Sequence, residues 1–89
     1  MVTAIILMNV KRSKVNEVAG QLADMPEISE AYSVSGKHDL IAIVRVKSND
    51  ELADLVTGRL SRMDDIEQTE TMLAFKAYSK HDLEAMFSL

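Results

Sequence analysis

A repeat constrains this chain more than any other feature. Shifting the sequence by 38 residues pairs Ile5 with Ile43, Val18 with Val56, Gly20 with Gly58, Leu22 with Leu60, Met25 with Met63 and Ile28 with Ile66. Each half carries the same order of signals. Residues 3–10 form a short, partly β-branched apolar run that reads as a strand. Residues 13–25 place Val15, Val18, Leu22 and Met25 on one helical face, with Ser13 as the expected cap and Pro26 as the stop. Residues 28–35 read as a second strand, Gly36 to Asp39 as a turn and residues 40–47 as a third strand. Ser48 followed by Glu51 is a capping box, opening a helix that carries Leu52, Leu55, Val56, Leu60 and Met63. Residues 66–79 are the expected fourth strand.

Two β-α-β halves predict an α+β, ferredoxin-like fold in the order β-α-β-β-α-β. The expected sheet is antiparallel, in the order 4-1-3-2, with both helices on one face under the right-handed crossover rule. Residues 1–79 then form one domain. Residues 80–89 form a tail, with a short helix suggested by Leu83, Met86 and Phe87.

The central strands are apolar on both faces, and two helices cover only one. Ile6, Met8, Val44 and Val46 share a face, and Ile5, Leu7, Ile41 and Ile43 share the other. An uncovered aliphatic face exceeds what monomers ordinarily expose. Covering about 600 Å² of it is worth roughly 15 kcal/mol before the costs of association. The expectation is a homodimer packed sheet to sheet, a dimeric α+β barrel. The chain's size points the same way. Its 89 residues include no cysteine, so no disulfide can staple a small core.

Charge and composition narrow the function. A net charge of −4 argues against a reader of duplex nucleic acid, which needs a basic face. No apolar run approaches the ~20 residues of a spanning helix, and no export signal is visible, so the expected location is the cytoplasm. The histidines, His38 and His81, are each followed by aspartate, and adjacent residues in a strand point apart, so neither pair forms a relay. The glycines are isolated, which excludes a phosphate loop, and no metal-ligand spacing appears. No cofactor is expected.

Three segments in order go further. Val34-Ser35-Gly36-Lys37-His38-Asp39-Leu40-Ile41 resembles the V-(T/S)-G-x-x-D turn of the effector domain of Lrp/AsnC transcription regulators. Met25-Pro26-Glu27-Ile28 resembles the stretch before that domain's second strand. Met63 to Leu73 is similar to its last strand, except that Asp65 stands where the family has glycine, which implies a different turn. The likeness covers residues 3–79. It implies a stand-alone effector module (RAM or SraM) that binds a free amino acid, forms dimers and assembles them into rings, as octamers or decamers. It further implies no DNA binding by this chain, and modulation of a full-length regulator by mixed assembly. Candidate ligand contacts are the turn Gly36, Lys37, His38 and Asp39, with Asp39 for the ammonium and backbone N–H groups for the carboxylate. Ser48, Thr69, Thr71 and Met72 complete the set. Two alternatives stand beside this reading. One is a small barrel enzyme, such as a cofactor-free monooxygenase, using Tyr32, Tyr78, Asn9 and His38. The other is a ligand-free assembly adaptor.

Overall fold

A computed structural model describes residues 1–78. Four strands, β1 (Val2–Val10), β2 (Ile28–Ser33), β3 (Leu40–Val46) and β4 (Ile66–Leu73), form one antiparallel sheet in the order β2-β3-β1-β4. This is the expected 4-1-3-2 order read from the other edge. Helix α1 (Val15–Ala23) joins β1 to β2, and α2 (Asn49–Ala53) opens the connection from β3 to β4. The architecture is α+β and ferredoxin-like.

Strand alternation decides which side is the core. Ala4, Ile6, Met8 and Val10 of β1 and Leu40, Ala42, Val44 and Val46 of β3 are buried together with Val18 and Leu22 of α1 and with Leu55 and Leu60. Both helices therefore pack on one face, as the crossover rule requires. The other face carries Ile5, Leu7, Ile41 and Ile43, all half-buried, in register across β1 and β3 as Ile5 opposite Ile43 and Leu7 opposite Ile41. Met72 of β4, opposite Ile5, and Tyr32 of β2, opposite Ile41, extend that face to both sheet edges. The described residues place no second layer over it.

Two irregularities occur in the strand ladders. Ile28 pairs with Val44 and Glu30 with Ile43, which leaves Ser29 as an extra residue on β2. Val10 pairs with Ile66 and Asn9 with Gln68, which leaves Glu67 as an extra residue on β4. Both bulges lie on the two outer strands. Strand β4 ends at Leu73 rather than at residue 79: Ala4 pairs with Leu73, and one further bond, from Ala74 N–H to Thr3 O at 2.9 Å, lies beyond it. Strand β2 likewise ends at Ser33. The expected tail helix lies outside the described residues.

The helices depart from expectation in instructive ways. Ser13 does not cap α1. It falls inside a 3₁₀ turn, Arg12–Lys14, and the N-cap of α1 is Lys14, with no side-chain cap bond. The second helix winds differently along its length. After α2 it continues as a π-helical turn, Asp54–Arg59, and finishes as a 3₁₀ turn, Leu60–Arg62. The hydroxyls of Thr57 and Ser61 account for part of this. Thr57 Oγ1 donates to Ala53 O at 2.7 Å, and Ser61 Oγ donates to Thr57 O. A hydroxyl that occupies the carbonyl four residues back competes with the backbone for it. The widened turn brings Leu55 and Leu60, five residues apart, into the core together. Arg59 on this turn pairs with Glu27, which precedes β2, and so links the two halves of the repeat.

At α2 the expected cap forms, with the return bond of the box shifted by one residue to Lys47. Ser48 has extended backbone, its Oγ accepts from Glu51 N at 3.2 Å, and Glu51 Oε2 accepts in return from Lys47 N at 2.9 Å. Asp65, in place of the family's glycine, is accommodated without a left-handed backbone, since among the described residues only Gly36 has positive φ. Its carbonyl accepts from Lys11 N at 2.9 Å, and its carboxylate lies 3.7 Å from Lys11 Nζ.

The two serines, one capping and one not, make a controlled comparison. Ser48→Ala is expected to lower unfolding stability by about 1 kcal/mol. Ser13→Ala is expected to change it by less than about 0.5 kcal/mol. Urea denaturation of the two variants, measured side by side, checks both.

Candidate functional site

The turn between β2 and β3 is closed on itself and held to the end of β1. Val34 N–H donates to Asp39 O at 3.0 Å, closing the turn, and Gly36 at its apex has φ of 111°. That backbone is strained for any residue with a Cβ, so glycine is required here. Asp39 N–H then donates to Met8 O at 2.9 Å, and the Asp39 carboxylate, through Oδ2, accepts from Val10 N–H at 2.8 Å. Val10, like Met8, turns its backbone groups toward β3, but the β1–β3 ladder ends at the Met8–Leu40 pair, so its amide needs an acceptor from outside the ladder. Asp39 supplies it. One of its oxygens is thereby committed to the scaffold rather than to a ligand ammonium.

The turn's other residues gather around Asn9. Asn9 Nδ2 donates to Lys37 O at 2.7 Å, and Asn9 Oδ1 lies 3.1 Å from His38 Nδ1. Because the amide nitrogen is already donating to a carbonyl, its oxygen is the acceptor for His38. Nδ1 therefore carries hydrogen, and Nε2 is turned toward Glu70, 4.0 Å from Oε2. Glu70 lies opposite Leu7, on the same open face of the sheet. The half-buried His38 imidazole thus stands between an amide and an exposed carboxylate, at one end of the uncovered apolar face. Farther along this face Tyr32 donates to Glu30, two residues away on β2, and that bond raises the Tyr32 hydroxyl pKa above its ordinary value.

The sequence-derived candidates fall into several places. Gly36, Lys37, His38 and Asp39 form the turn. Met72 is on the open face, in the row of β4 that also carries Glu70. Thr69 and Thr71 pair with Met8 and Ile6, so they lie on the helix side of the sheet. Ser48 is at the opposite end of β3 from the turn. The extended chain from Leu40 to Val46 alone spans roughly 20 Å. Within one chain, Ser48 and the turn are not brought together.

Sequence reasoning missed Glu70 and placed Asn9 only among residues for an enzyme. Asn9 had a legible signal: it is the polar member of the open-face row Ile5-Leu7-Asn9. Also missed was a groove of about 320 Å³ on the helix side, between the π-helical turn and the start of β4, lined by Val56, Thr57, Leu60, Ser61 and residues 66–69. Among the described residues no cluster of three or more side chains is arranged to hold a metal. Nor is any described helix long and apolar enough to cross a membrane.

Comparison with known proteins accounts for this geometry. The family model for the Lrp/AsnC ligand binding domain matches residues 3–83, nearly the whole chain. This chain belongs to the Lrp/AsnC ligand-binding domain family. The HTH-type transcriptional regulator FL11 of Pyrococcus furiosus is 33% identical over 79 residues, which are 89% of this chain and 52% of that protein. The chain therefore spans about half the length of the curated relatives it matches. The crystal structure of TTHA0845 from Thermus thermophilus superposes with a TM-score of 0.83 at 40% identity, covering 90% of this chain and all of that one. The transcriptional regulator NMB0573 of Neisseria meningitidis, solved as a complex with L-Met, has the same fold. Its TM-score is 0.79 at 14% identity, over 88% of this chain and 52% of that one. The curated relatives it matches are named as HTH-type transcriptional regulators, and the part of them that it matches is the ligand-binding domain rather than an enzyme domain.

The family turn motif and the Asp39 contact give a direct test. Asp39→Ala leaves the Val10 amide without its acceptor and is expected to cost about 1–3 kcal/mol in urea unfolding. Asp39→Asn keeps an oxygen at that position and is expected to recover at least half of the loss.

Proposed function

We propose that this domain senses a free amino acid, and that its working unit is a dimer packed through the open faces of two sheets. The observation that carries the reading is the family match over residues 3–83 together with the polar cluster of Asn9, His38 and Glu70 beside the family's turn. A free amino acid presents an ammonium and a carboxylate. Glu70, exposed and unencumbered by a short hydrogen bond, is the better acceptor for the ammonium, since Asp39 is bonded to Val10 N–H. The backbone N–H groups of Gly36 to His38 and the Lys37 ammonium are donors for the carboxylate. Met72, near Glu70 on β4, offers apolar surface for a ligand side chain. The L-Met complex of the Neisseria regulator supports a ligand of this class.

The apolar row Ile5, Leu7, Ile41 and Ile43 supports the dimer. It is flanked by Glu30, Arg45, Gln68 and Glu70, an apolar centre with a polar rim. Ser48, Thr69 and Thr71 join the site only from a neighbouring dimer, so a ring of dimers such as an octamer or decamer is part of the proposal. In this reading the chain acts on transcription through mixed assembly with a full-length regulator rather than by contacting DNA itself.

Titration calorimetry with the twenty amino acids at millimolar concentration is expected to give heat with at least one, and heat with none sinks the sensing role. Glu70→Gln and His38→Ala are each expected to weaken that ligand at least tenfold with the assembly mass unchanged. The dimer has its own test. Ile43→Glu puts a charge at the centre of the proposed interface and is expected to convert the protein to single chains in sedimentation velocity.

A further inference from the structure

Residues 74–78, which follow β4, carry two exposed aromatic side chains. Phe75 is fully exposed, at 102% of its reference area, and Tyr78 is exposed at 76%. The Ala74–Thr3 hydrogen bond keeps the chain extended one residue beyond β4 and brings Phe75 to the margin of the sheet, level with the first residue of β1. Among the described residues, an exposed phenylalanine on such an arm is a knob without a hole in its own protomer. The hole is at the other end of β4. The groove between the π-helical turn and the start of β4 has an apolar floor of Val56, Leu60 and Ile66 and a rim that includes Glu67. From Thr69, at the groove, to Phe75 is roughly 20 Å of extended chain. The arm of one protomer therefore does not reach its own groove.

We infer that Phe75 of one copy seats in the groove of Val56, Leu60 and Ile66 on a second copy. The charges are complementary: Lys76 follows Phe75, and the groove carries Glu67 beside its floor. Its volume of about 320 Å³ admits a single aromatic side chain. Knob and hole are different patches of one chain, so the contact is heterologous. It repeats from copy to copy until rotation closes it into a ring. It is also separate from the open sheet face, so it joins dimers rather than forming them. The inference rests on the dimer proposed above only for that last point.

The chain has no cysteine, which makes the contact easy to trap. In the full-length double variant Lys76→Cys/Glu67→Cys, mild oxidation is expected to produce a ladder of three or more covalently joined chains on non-reducing gels. Mixing the two single variants is expected to give linked pairs between them. A double variant that stays single, or that forms only an intrachain bridge, overturns the contact. Phe75→Ala is expected to weaken assembly beyond the dimer at least tenfold in sedimentation while leaving the dimer. An unchanged higher assembly in that variant also overturns it. The competing occupant is the chain's own tail, residues 79–89, with Leu83, Met86 and Phe87. If the ladder forms only after truncation at Tyr78, the tail fills the groove and the inference fails. A dimeric mass without cross-links disposes of this contact alone. A wild-type protein that sediments as single chains disposes of the sheet-to-sheet dimer as well.

Discussion

Two central strands with apolar side chains on both faces, and helices enough to cover one, set the terms for this molecule. β1 and β3 place Ala4, Ile6, Met8, Leu40, Ala42 and Val44 in the core beneath the helices. That leaves Ile5, Leu7, Ile41 and Ile43 on the far side. In a larger protein a second layer of the same chain would cover them. The described residues place no such layer there, and the proposed dimer covers the face with a second copy. The same constraint places the polar cluster. Asn9, His38 and Glu70 stand where the apolar row ends, at the margin of the surface that a partner would cover. There they combine exposure with the reduced dielectric of a nearby interface.

Much of this was legible in the sequence, because it depends on periodicity. The 38-residue repeat identified both β-α-β halves, and alternation along β1 and β3 sorted core from open face residue by residue. What escaped was decided by contacts between residues far apart in the chain. Asp39 looked like a ligand for an ammonium. One of its oxygens is bonded to the Val10 amide, 29 residues away, because the β1–β3 ladder stops at Met8 and Leu40 and leaves that amide without a strand partner. Ser13 had the right type for a cap and the wrong neighbours, since the chain enters α1 through a 3₁₀ turn. The second helix was read with an α-helical period, yet Leu55 and Leu60 are buried together at a spacing of five. A local pattern holds no record of two hydroxyls taking carbonyls from the ladder.

The candidate site was only partly legible for a different reason. Sequence spacing places the turn, but it does not show that Thr69 and Thr71 face the helices while Met72 and Glu70 face the open side. Nor does it show that Ser48 lies at the far end of β3. A set of residues that one protomer divides among two faces and two ends would become one site only through the assembly proposed above. In such a domain, a ligand that spans subunits is linked to association by mass action, since each stabilises the other.

The bulges at Ser29 and Glu67 bear on a hazard that such a protein faces. Among the described residues both outer strands have an unpaired edge of backbone groups, the ordinary template for open-ended strand stacking. One extra residue on each bends the edge and puts its donors and acceptors out of step with a straight incoming strand. A molecule proposed to reach other subunits through its apolar surfaces thus keeps its sheet edges irregular. Growth is then confined to contacts made by side chains, which can be finite in number, and withheld from backbone pairing, which has no natural end.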